Sequence, residues 1–458
     1  MGLSEIPPPV EVTPGYDLPE LRTPPPGPQS RTWLTRYSKF AVPMGPKRAS
    51  GRGGVLADVP PATIVLAQGR GCNVIDVDSN RYVDLAAGFG SLPLGHQHES
   101  LTRALTMQSN RLSQGLGDVY PSDAKIGLLE RLARLHPTKN AQSILGQSGA
   151  DAITAALKTA QLATGKPGVV AFSSSYHGLN YAALSLSDLR ASYREPFADQ
   201  LSPHVTFADY PTQPGDVDRT LSQVEQACSS TAVGAIVVEP ILGRGGVVVP
   251  PSGFLPELTN IATRHGALLV SDEIWTGLGR AGSWLAGDSE PQFAPDLICL
   301  GKGLGGGLPI SACLGAPELM ECWSRQDEVV HTSTFAGAPL ACTAALCTLD
   351  VLGRKKWIEH AAATGSAWIE HLRGFLSDTA ISDVRGRGLM IGLSAEQVPG
   401  GATALQRALL ERGFITTTGG GKRDVLVLTP PLNISSDLLM AFEDSLRVSL
   451  MILCARGR

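Results

Sequence analysis

The sequence predicts an α/β fold in which a mainly parallel sheet is flanked by helices. Short apolar runs alternate with helical patterns, at residues 169–172, 235–238, 267–270 and 297–300. These runs are apolar at every position rather than at alternate positions, as expected for strands that are covered on both faces. With 458 residues, the chain is also long enough for a large domain and a smaller companion.

The elements divide into four consecutive segments. Residues 1–46 hold 11 of the 33 prolines, which remove backbone donors, so this segment is predicted to be an extended or disordered arm. Residues 47–95 supply a hairpin at 71–85 to the small domain, and residues 96–340 form the large domain. Residues 341–458 complete the small α+β domain, with helices and strands predicted at 341–352, 357–377, 389–393, 403–412, 425–428 and from 435.

The composition argues against several classes of protein. Hydrophobic residues make up 43% and charged residues 17%, and a net charge of −4 gives no basic surface for nucleic acid. No stretch approaches the ~18 apolar residues of a membrane helix, and the N-terminus lacks the features of a secretion signal. The eight cysteines contain no Cys-x-x-Cys pair, so we expect reduced thiols, no metal and a cytoplasmic protein.

Three successive predicted strands are each followed by a conspicuous polar residue. These residues are Glu239, Asp272 and Lys302. In open α/β sheets ligands bind beyond the carboxyl ends of the strands, so the three side chains are predicted to reach one crevice. The helix that begins after Ser148 adds the backbone amides of Gly149 and Ala150, and a helix N-terminus binds anions.

This set of residues is the one that a pyridoxal 5'-phosphate (PLP) enzyme needs. A lysine binds the cofactor as a Schiff base, a carboxylate keeps the pyridine nitrogen protonated, and helix amides hold the phosphate. Lys302 could instead be a surface lysine in a glycine-rich turn, but five glycines within 301–307 indicate a backbone that passes close to a ligand. The match of 301–306 to G-x-G-x-x-G lacks the context of a dinucleotide site, because Pro309 follows and no suitable helix begins there.

Together these stretches resemble the class III aminotransferases, the group that includes 4-aminobutyrate, ornithine and acetylornithine aminotransferases. The resemblance covers roughly residues 60 to 450 and is carried by an ordered series of motifs: QSGADA (147–152), YHG (176–178), VEPILGRGG (238–246), SDEIWTGLGRAG (271–282), CLGKGLGGGLP (299–309) and HTSTFAGAPLAC (331–342). It implies a PLP-dependent transferase of fold type I, with a seven-stranded type of sheet in the large domain, and a homodimer with shared active sites.

The resemblance also implies a role for individual positions. Lys302 would carry the cofactor and Asp272 would pair with the pyridine nitrogen. The remaining cofactor-binding residues would be Gly149 and Ala150 at the phosphate, Tyr176 and Ile274 on the ring, His177 beside Tyr176, Glu239 as a brace near Asp272, Trp275 near the phenolic oxygen, and Thr334 from the neighbouring subunit.

Four departures from the family pattern concern the substrate. Arg244 stands where the family often has glutamate, and Val427 stands where a substrate-gripping arginine precedes Pro-Pro. Leu179 replaces an arginine used for a distal carboxylate, and Trp275 replaces a glutamine. Arg244 is therefore predicted to take over carboxylate binding. It could equally be a rim arginine that pairs with a surface acid.

The reaction implied is a ping-pong transfer of an amino group between an amine or amino acid and a keto acid or aldehyde, in which Lys302 acts as general base. A racemase or epimerase of the same fold would show the same motifs, because only the carbon that regains the proton differs. A non-catalytic protein that binds PLP or an effector is a third possibility. Against it stand the intact Lys302 and Asp272 and the lack of a helix-turn-helix pattern.

Overall fold

The computed structural model describes residues 15–42 and 63–456. Residues 1–14, 43–62 and 457–458 lie outside it, and with them parts of the predicted arm 1–46 and of the predicted segment 47–95.

The order of elements alternates helices and strands through the middle of the chain. The helices are α1 Pro28–Phe40, α2 Ala87–Gly90, α3 Glu99–Ser109, α4 Asp123–Leu132, α5 Gly149–Thr164, α6 Tyr181–Ser185, α7 Ala191–Arg194, α8 Val217–Ser230, α9 Phe254–His265, α10 Pro317–Met320, α11 Pro339–Arg354, α12 Trp357–Phe375, α13 Gly401–Leu410 and α14 Ser436–Arg456. The strands are β1 Leu66–Arg70, β2 Asn73–Asp76, β3 Arg81–Asp84, β4 Gln142–Gly146, β5 Gly168–Phe172, β6 Val205–Ala208, β7 Val233–Val238, β8 Leu268–Asp272, β9 Leu297–Leu300, β10 Ser311–Gly315, β11 Asp383–Arg387, β12 Met390–Ser394, β13 Phe414–Ile415, β14 Thr417–Gly419 and β15 Val425–Leu428.

A seven-stranded sheet with the order β4-β10-β9-β8-β7-β5-β6 forms the centre of the large domain. Strand β10 is antiparallel to both of its neighbours, and β9, β8, β7, β5 and β6 are parallel. The four apolar runs lie within or overlap strands β5, β7, β8 and β9, so the prediction of a mainly parallel sheet is confirmed.

Helices cover both faces of this sheet, which explains why the strands are apolar throughout. In β7, Ile236 and Val238 pack in a core cluster with residues of α8 and α9. The alternate residues Ala235 and Val237 pack in a second cluster with residues of α5. Because successive side chains of a strand point to opposite faces, each face of β7 requires its own apolar partner.

The small domain contains two further sheets. Strands β11, β12, β15 and β14 form an antiparallel sheet, and β1, β2, β3 and β13 form the other. The predicted hairpin is present as β2 and β3, and β13 pairs with β3 in parallel, with Phe414 opposite Val83. The N-terminal hairpin is thereby joined to the C-terminal part of the chain.

The domain boundaries at 95 and 340 remain predictions. No helix in the described part of the chain is long and apolar enough to cross a membrane.

The prediction of an extended or disordered arm is wrong for residues 28–40, which form helix α1. Pro28 stands at the start of the helix, where a missing N–H costs nothing. The carboxylate of Asp78, in the turn of the hairpin, accepts hydrogen bonds from the backbone N–H groups of Gln29 (2.6 Å) and Ser30 (2.8 Å). A cap from a residue so distant along the chain leaves no signal in the local sequence.

Candidate active site

The three polar residues Glu239, Asp272 and Lys302, at the carboxyl ends of strands β7, β8 and β9, lie at one edge of the sheet. These strands are neighbours, and their registers align Val238 with Ser271 and Asp272 with Cys299. The negative charges of Asp272 and Glu239 both act on the pKa of Lys302, which places the three groups within electrostatic reach of one another.

Asp272 forms a buried pair with His177. The carboxylate lies 2.6 Å from Nδ1 of the imidazole and also accepts a hydrogen bond from the N–H of Ile274 at 3.0 Å. Burial opposes the charged form of His177, but its hydrogen bond to Asp272 and the negative charge of that carboxylate outweigh burial and raise its pKa. Two oxygens provide about four acceptor positions, so Asp272 keeps capacity for a further donor.

Glu239 connects two loops at the site. It accepts hydrogen bonds from the backbone N–H groups of Tyr176 (2.8 Å) and Gly243 (2.9 Å). Burial raises the pKa of Glu239, the charge of His177 opposes this rise, and the charge of Asp272 adds to it. The carboxylate therefore fixes the loops that carry Tyr176 and Arg244 to the end of β7.

Lys302 begins a short 3-10 helix, Lys302–Gly305, and has a φ of 39°, in the left-handed region. Such a conformation is costly for a side chain with a Cβ and is found at functional sites. Its amine lies 4.2 Å from the centre of the Trp275 ring, and no residue within 15–42 or 63–456 gives it a hydrogen bond or ion pair. Burial lowers the pKa of Lys302 to about 8, the charges of Asp272 and Glu239 oppose this, and the charge of Arg244 adds to the lowering.

The start of α5 presents backbone amides. Ser148 and Asp151 form a capping box, and the N–H groups of Gly149 and Ala150 have no acceptor among the described residues. A Cβ at Gly149 would lie 2.9 Å from Ile274, so a glycine is required here for close packing. The amine of Lys302 can react with an aldehyde, and the amides at the start of α5 can bind a phosphate. The site therefore suits an aldehyde that bears a phosphate.

Trp275 is held between two glycines that sequence reasoning did not single out. A Cβ at Gly90 would clash with the indole Nε1, and a Cβ at Gly243 would clash with its six-membered ring. Trp275, Met390 and Val427 belong to one buried apolar cluster. The position where the family pattern has an arginine is therefore part of an apolar wall.

Arg244 lies over the Tyr176 ring, with 4.5 Å between the guanidinium carbon and the ring centre. It also donates a hydrogen bond to the hydroxyl of Tyr193 at 3.4 Å, and Arg190 donates to the same hydroxyl at 3.0 Å. Arg190 and Tyr193 belong to the segment that begins α7, and Arg423 lies in a turn far along the chain. They were not anticipated, because they follow no motif. The alternative of a rim arginine paired with an acid finds no support, since Arg244 has no ion pair with any described residue.

Thr334 lies in an exposed segment. Its carbonyl accepts a hydrogen bond from Gln114 at 2.6 Å, and the adjacent Ser333 is hydrogen bonded to Gln147, just before α5. Within the described part of one chain, Thr334 has no hydrogen bond to Lys302 or Asp272. The structure of a single chain thus brings together the other predicted residues but not Thr334.

Comparison with known proteins agrees with this geometry. The sequence profile of the family described as aminotransferase class-III matches residues 56–450. The acetylornithine aminotransferase of Mycobacterium leprae is 36% identical over 390 residues, which cover 84% of this chain and 90% of the relative. That of Methanosarcina acetivorans is 33% identical over 385 residues, covering 84% of this chain and 91% of the relative.

Solved structures share the fold over nearly the whole chain. The ornithine aminotransferase of Toxoplasma gondii has a TM-score of 0.80 and 28% identity, covering 93% of this chain and 95% of that one. An amine transaminase from an uncultivated Pseudomonas species, solved with PLP bound, has a TM-score of 0.80 and 26% identity, covering 91% and 99%. The predicted fold, cofactor and reaction are confirmed at the level of the family. The chain belongs to the class III aminotransferases and is a PLP-dependent transaminase.

Proposed function

We propose that Lys302 is the residue that binds PLP and moves the proton during transamination. The observation that carries this proposal is a half-buried amine with a pKa of about 8, within reach of the charge of Asp272 and without a hydrogen-bond partner in the described chain. An amine forms a bond with an aldehyde only in its neutral form, so a lowered pKa suits this role. The residues at the site therefore fit the cofactor.

PLP, when bound, withdraws electrons from the substrate carbon whose proton is removed. Asp272 would hold the cofactor's pyridine nitrogen, and the pair with His177 keeps its carboxylate oriented. Gly149 and Ala150 would donate their free amides to the phosphate. Since Arg244 covers one face of the Tyr176 ring, only the other face of that ring is left to contact the cofactor.

Lys302 would then act as the general base and acid. When a substrate is bound, the Nζ of Lys302 would take up a proton from the substrate carbon and release it again later in the half-reaction. The contact with the Trp275 ring limits where the lysine side chain can move.

The substrates are an amino acid or amine and a keto acid or aldehyde. The relatives' names include acetylornithine, but Val427 stands where the family pattern has a substrate-gripping arginine, so that substrate is not proposed for this chain.

A homodimer with shared sites is part of the proposal. Large apolar side chains are exposed in the segments that carry Gln114 and Thr334, namely Leu112 (41%), Leu116 (59%), Val119 (70%), Tyr120 (71%), Val329 (76%) and Phe335 (58%). Exposed apolar patches of this kind mark protein interfaces. A second subunit on this surface would bring its own Thr334 to the site.

All eight cysteines are free thiols, which supports a reducing compartment such as the cytoplasm.

The test compares Lys302→Ala with Lys139→Ala, a change at an exposed lysine. The Lys302 variant is expected to lose the visible absorbance band of the bound cofactor and all transamination, whereas the Lys139 variant keeps both. In the wild type, amino donors should bleach the band and initial-rate lines should be parallel. A Lys302→Ala protein that keeps a covalent cofactor would overturn the proposal, as would wild-type protein that racemises amino acids without forming keto acid.

A further inference from the structure

Two arginines converge beside Tyr176 without an acidic partner. Arg244 follows β7 and Arg190 lies between α6 and α7, yet both donate to the hydroxyl of Tyr193. Neither arginine forms an ion pair with a residue in the described ranges, and the nearby Asp188 pairs with Arg194 at 3.7 Å. Both are only partly exposed. Partly buried charges without counterions are costly, which indicates a site that an anion completes.

A third cation strengthens the positive field. Arg423 lies in the turn between β14 and β15, and burial together with the charges of Arg190 and Arg244 lowers its pKa. Its φ of 59° places it in the left-handed region, two residues after the end of a glycine run at 419–421. Three separate segments of the chain therefore place arginine side chains close together. Chance packing of surface arginines does not explain this arrangement.

Hydrogen bonds to the backbone hold these loops in position. Arg190 donates from Nη2 to the carbonyl of Gly420 at 2.7 Å and from Nε to that of Gly421 at 2.8 Å. The N–H of Gly420 in turn donates to the carbonyl of Arg244 at 2.9 Å. Gly420 has a φ of 83°, and a Cβ there would collide with the carboxylate of Asp424. The arginines are thus fixed before a ligand arrives, which reduces the entropy cost of binding.

The arginines keep donors for a ligand. A guanidinium has five N–H groups. Arg244 commits one of them, to Tyr193, and Arg190 commits three, to Tyr193 and the two glycine carbonyls. Oxyanions with several oxygens match the planar fork of such side chains.

The cluster is next to the reacting groups. Arg244 lies on the Tyr176 ring, and the following residue, His177, is bonded to Asp272. The charge of Arg244 also acts on Lys302. Trp275 and Val427 belong to an apolar cluster that also borders this region. An anion on a substrate bound at Lys302 is therefore stabilised at the arginines and not at this cluster.

We propose that Arg190, Arg244 and Arg423 form a subsite for a doubly charged oxyanion on the substrate, such as a phosphate or phosphonate group remote from the amine. Two arginines that lack acidic partners in the described chain match two negative charges, whereas one carboxylate would neutralise only one of them. The subsite rests on the proposed role of Lys302, since it orients a substrate toward that amine.

The experiment measures binding of propylphosphonate and propionate to the holoenzyme by calorimetry at fixed ionic strength. Neither probe has an amine, so neither can react, and the cofactor already fills its own phosphate site. Propylphosphonate is expected to bind more tightly than propionate. Arg244→Gln and Arg423→Gln should weaken its binding about tenfold or more. Tyr193→Phe should weaken it less, because it removes only the shared acceptor.

Arg219→Gln is the matched control, because Arg219 is 60% exposed on α8 and pairs with Asp209 and Asp216. This change should leave binding of both probes unaltered. Unchanged phosphonate affinity in Arg244→Gln would overturn the proposal of a subsite. Equal affinity of the wild type for both probes would overturn the proposal that its ligand is doubly charged. In the same samples, n-pentylamine should bleach the cofactor band of the wild type and of Arg219→Gln. Failure of any amine to bleach the wild-type band would instead refute the role of Lys302.

Discussion

Apo-enzyme freed of its cofactor should capture PLP rapidly at neutral pH, because Lys302 is not an ordinary lysine. With a pKa of about 8, roughly one Lys302 in ten is neutral at pH 7. A lysine with the usual value of 10.5 would be neutral in roughly one molecule in three thousand. Since only the neutral amine attacks the aldehyde, the site should react about 300-fold faster than an exposed lysine of equal reactivity.

The sign of the pH dependence follows from the same reasoning. Burial disfavours the charged amine, so the lysine loses its proton at lower pH than in water. The rate of capture should therefore rise with pH and level off above about pH 8. Arg244→Gln removes a positive charge that contributes to the lowering, so the midpoint should move to higher pH.

The assay mixes apo-enzyme with PLP in a stopped-flow instrument and follows the visible band between about pH 6 and pH 10, a range that brackets the expected midpoint. Arg219→Gln again serves as the control, because its charge is exposed and is not among those that act on the pKa of Lys302. A wild-type midpoint at pH 10 or above would refute the argument from burial. An Arg244→Gln midpoint equal to that of the wild type would show that the two side chains do not interact.

Three further changes test the packing. Gly149→Ala would place a methyl group 2.9 Å from Ile274, and equilibrium dialysis should show PLP affinity reduced by roughly tenfold. Gly374→Ala, at an exposed helical glycine with open space around it, should leave that affinity unchanged and raise the unfolding free energy by about 0.5–1 kcal/mol. Equal effects of both changes on affinity would contradict the close packing at Gly149. Trp368→Phe removes the N–H that donates to the buried Glu443 at 2.7 Å, and urea unfolding should show a loss of about 1–3 kcal/mol. Unchanged stability would mean that Glu443 finds another donor.

The part of the site that could be predicted from the sequence is the part built on strand ends. Glu239, Asp272 and Lys302 each follow an apolar run, and parallel strands bring their carboxyl ends to one edge whatever the loops do. The helix at Gly149 is marked by a local cap, Ser148, in the same way. Strand and helix patterns are local, so these positions could be placed before the structure was known.

The remainder depends on contacts between distant segments. Helix α1 was missed because its cap, Asp78, belongs to a hairpin turn rather than to the helix. Arg190, Tyr193 and Arg423 were missed because they are brought together by hydrogen bonds of the Arg190 side chain to Tyr193 and to the distant glycine run that precedes Arg423. The clash of Gly90 with Trp275 is of the same kind, since a glycine in sequence does not reveal what its missing side chain would meet.

Arg244 and Val427, two departures from the family pattern, lie near one another in the structure. Both lie against Gly419, whose Cβ would fall 2.9 Å from Val427 and 3.3 Å from the carbonyl of Arg244. Val427 is fully buried, so an arginine at this position would be a buried cation, which is costly without a carboxylate to pair with. The uncharged valine avoids this cost. The anion-binding groups then lie on the loops around Tyr193, while the sheet side of the pocket, with Trp275, is left apolar.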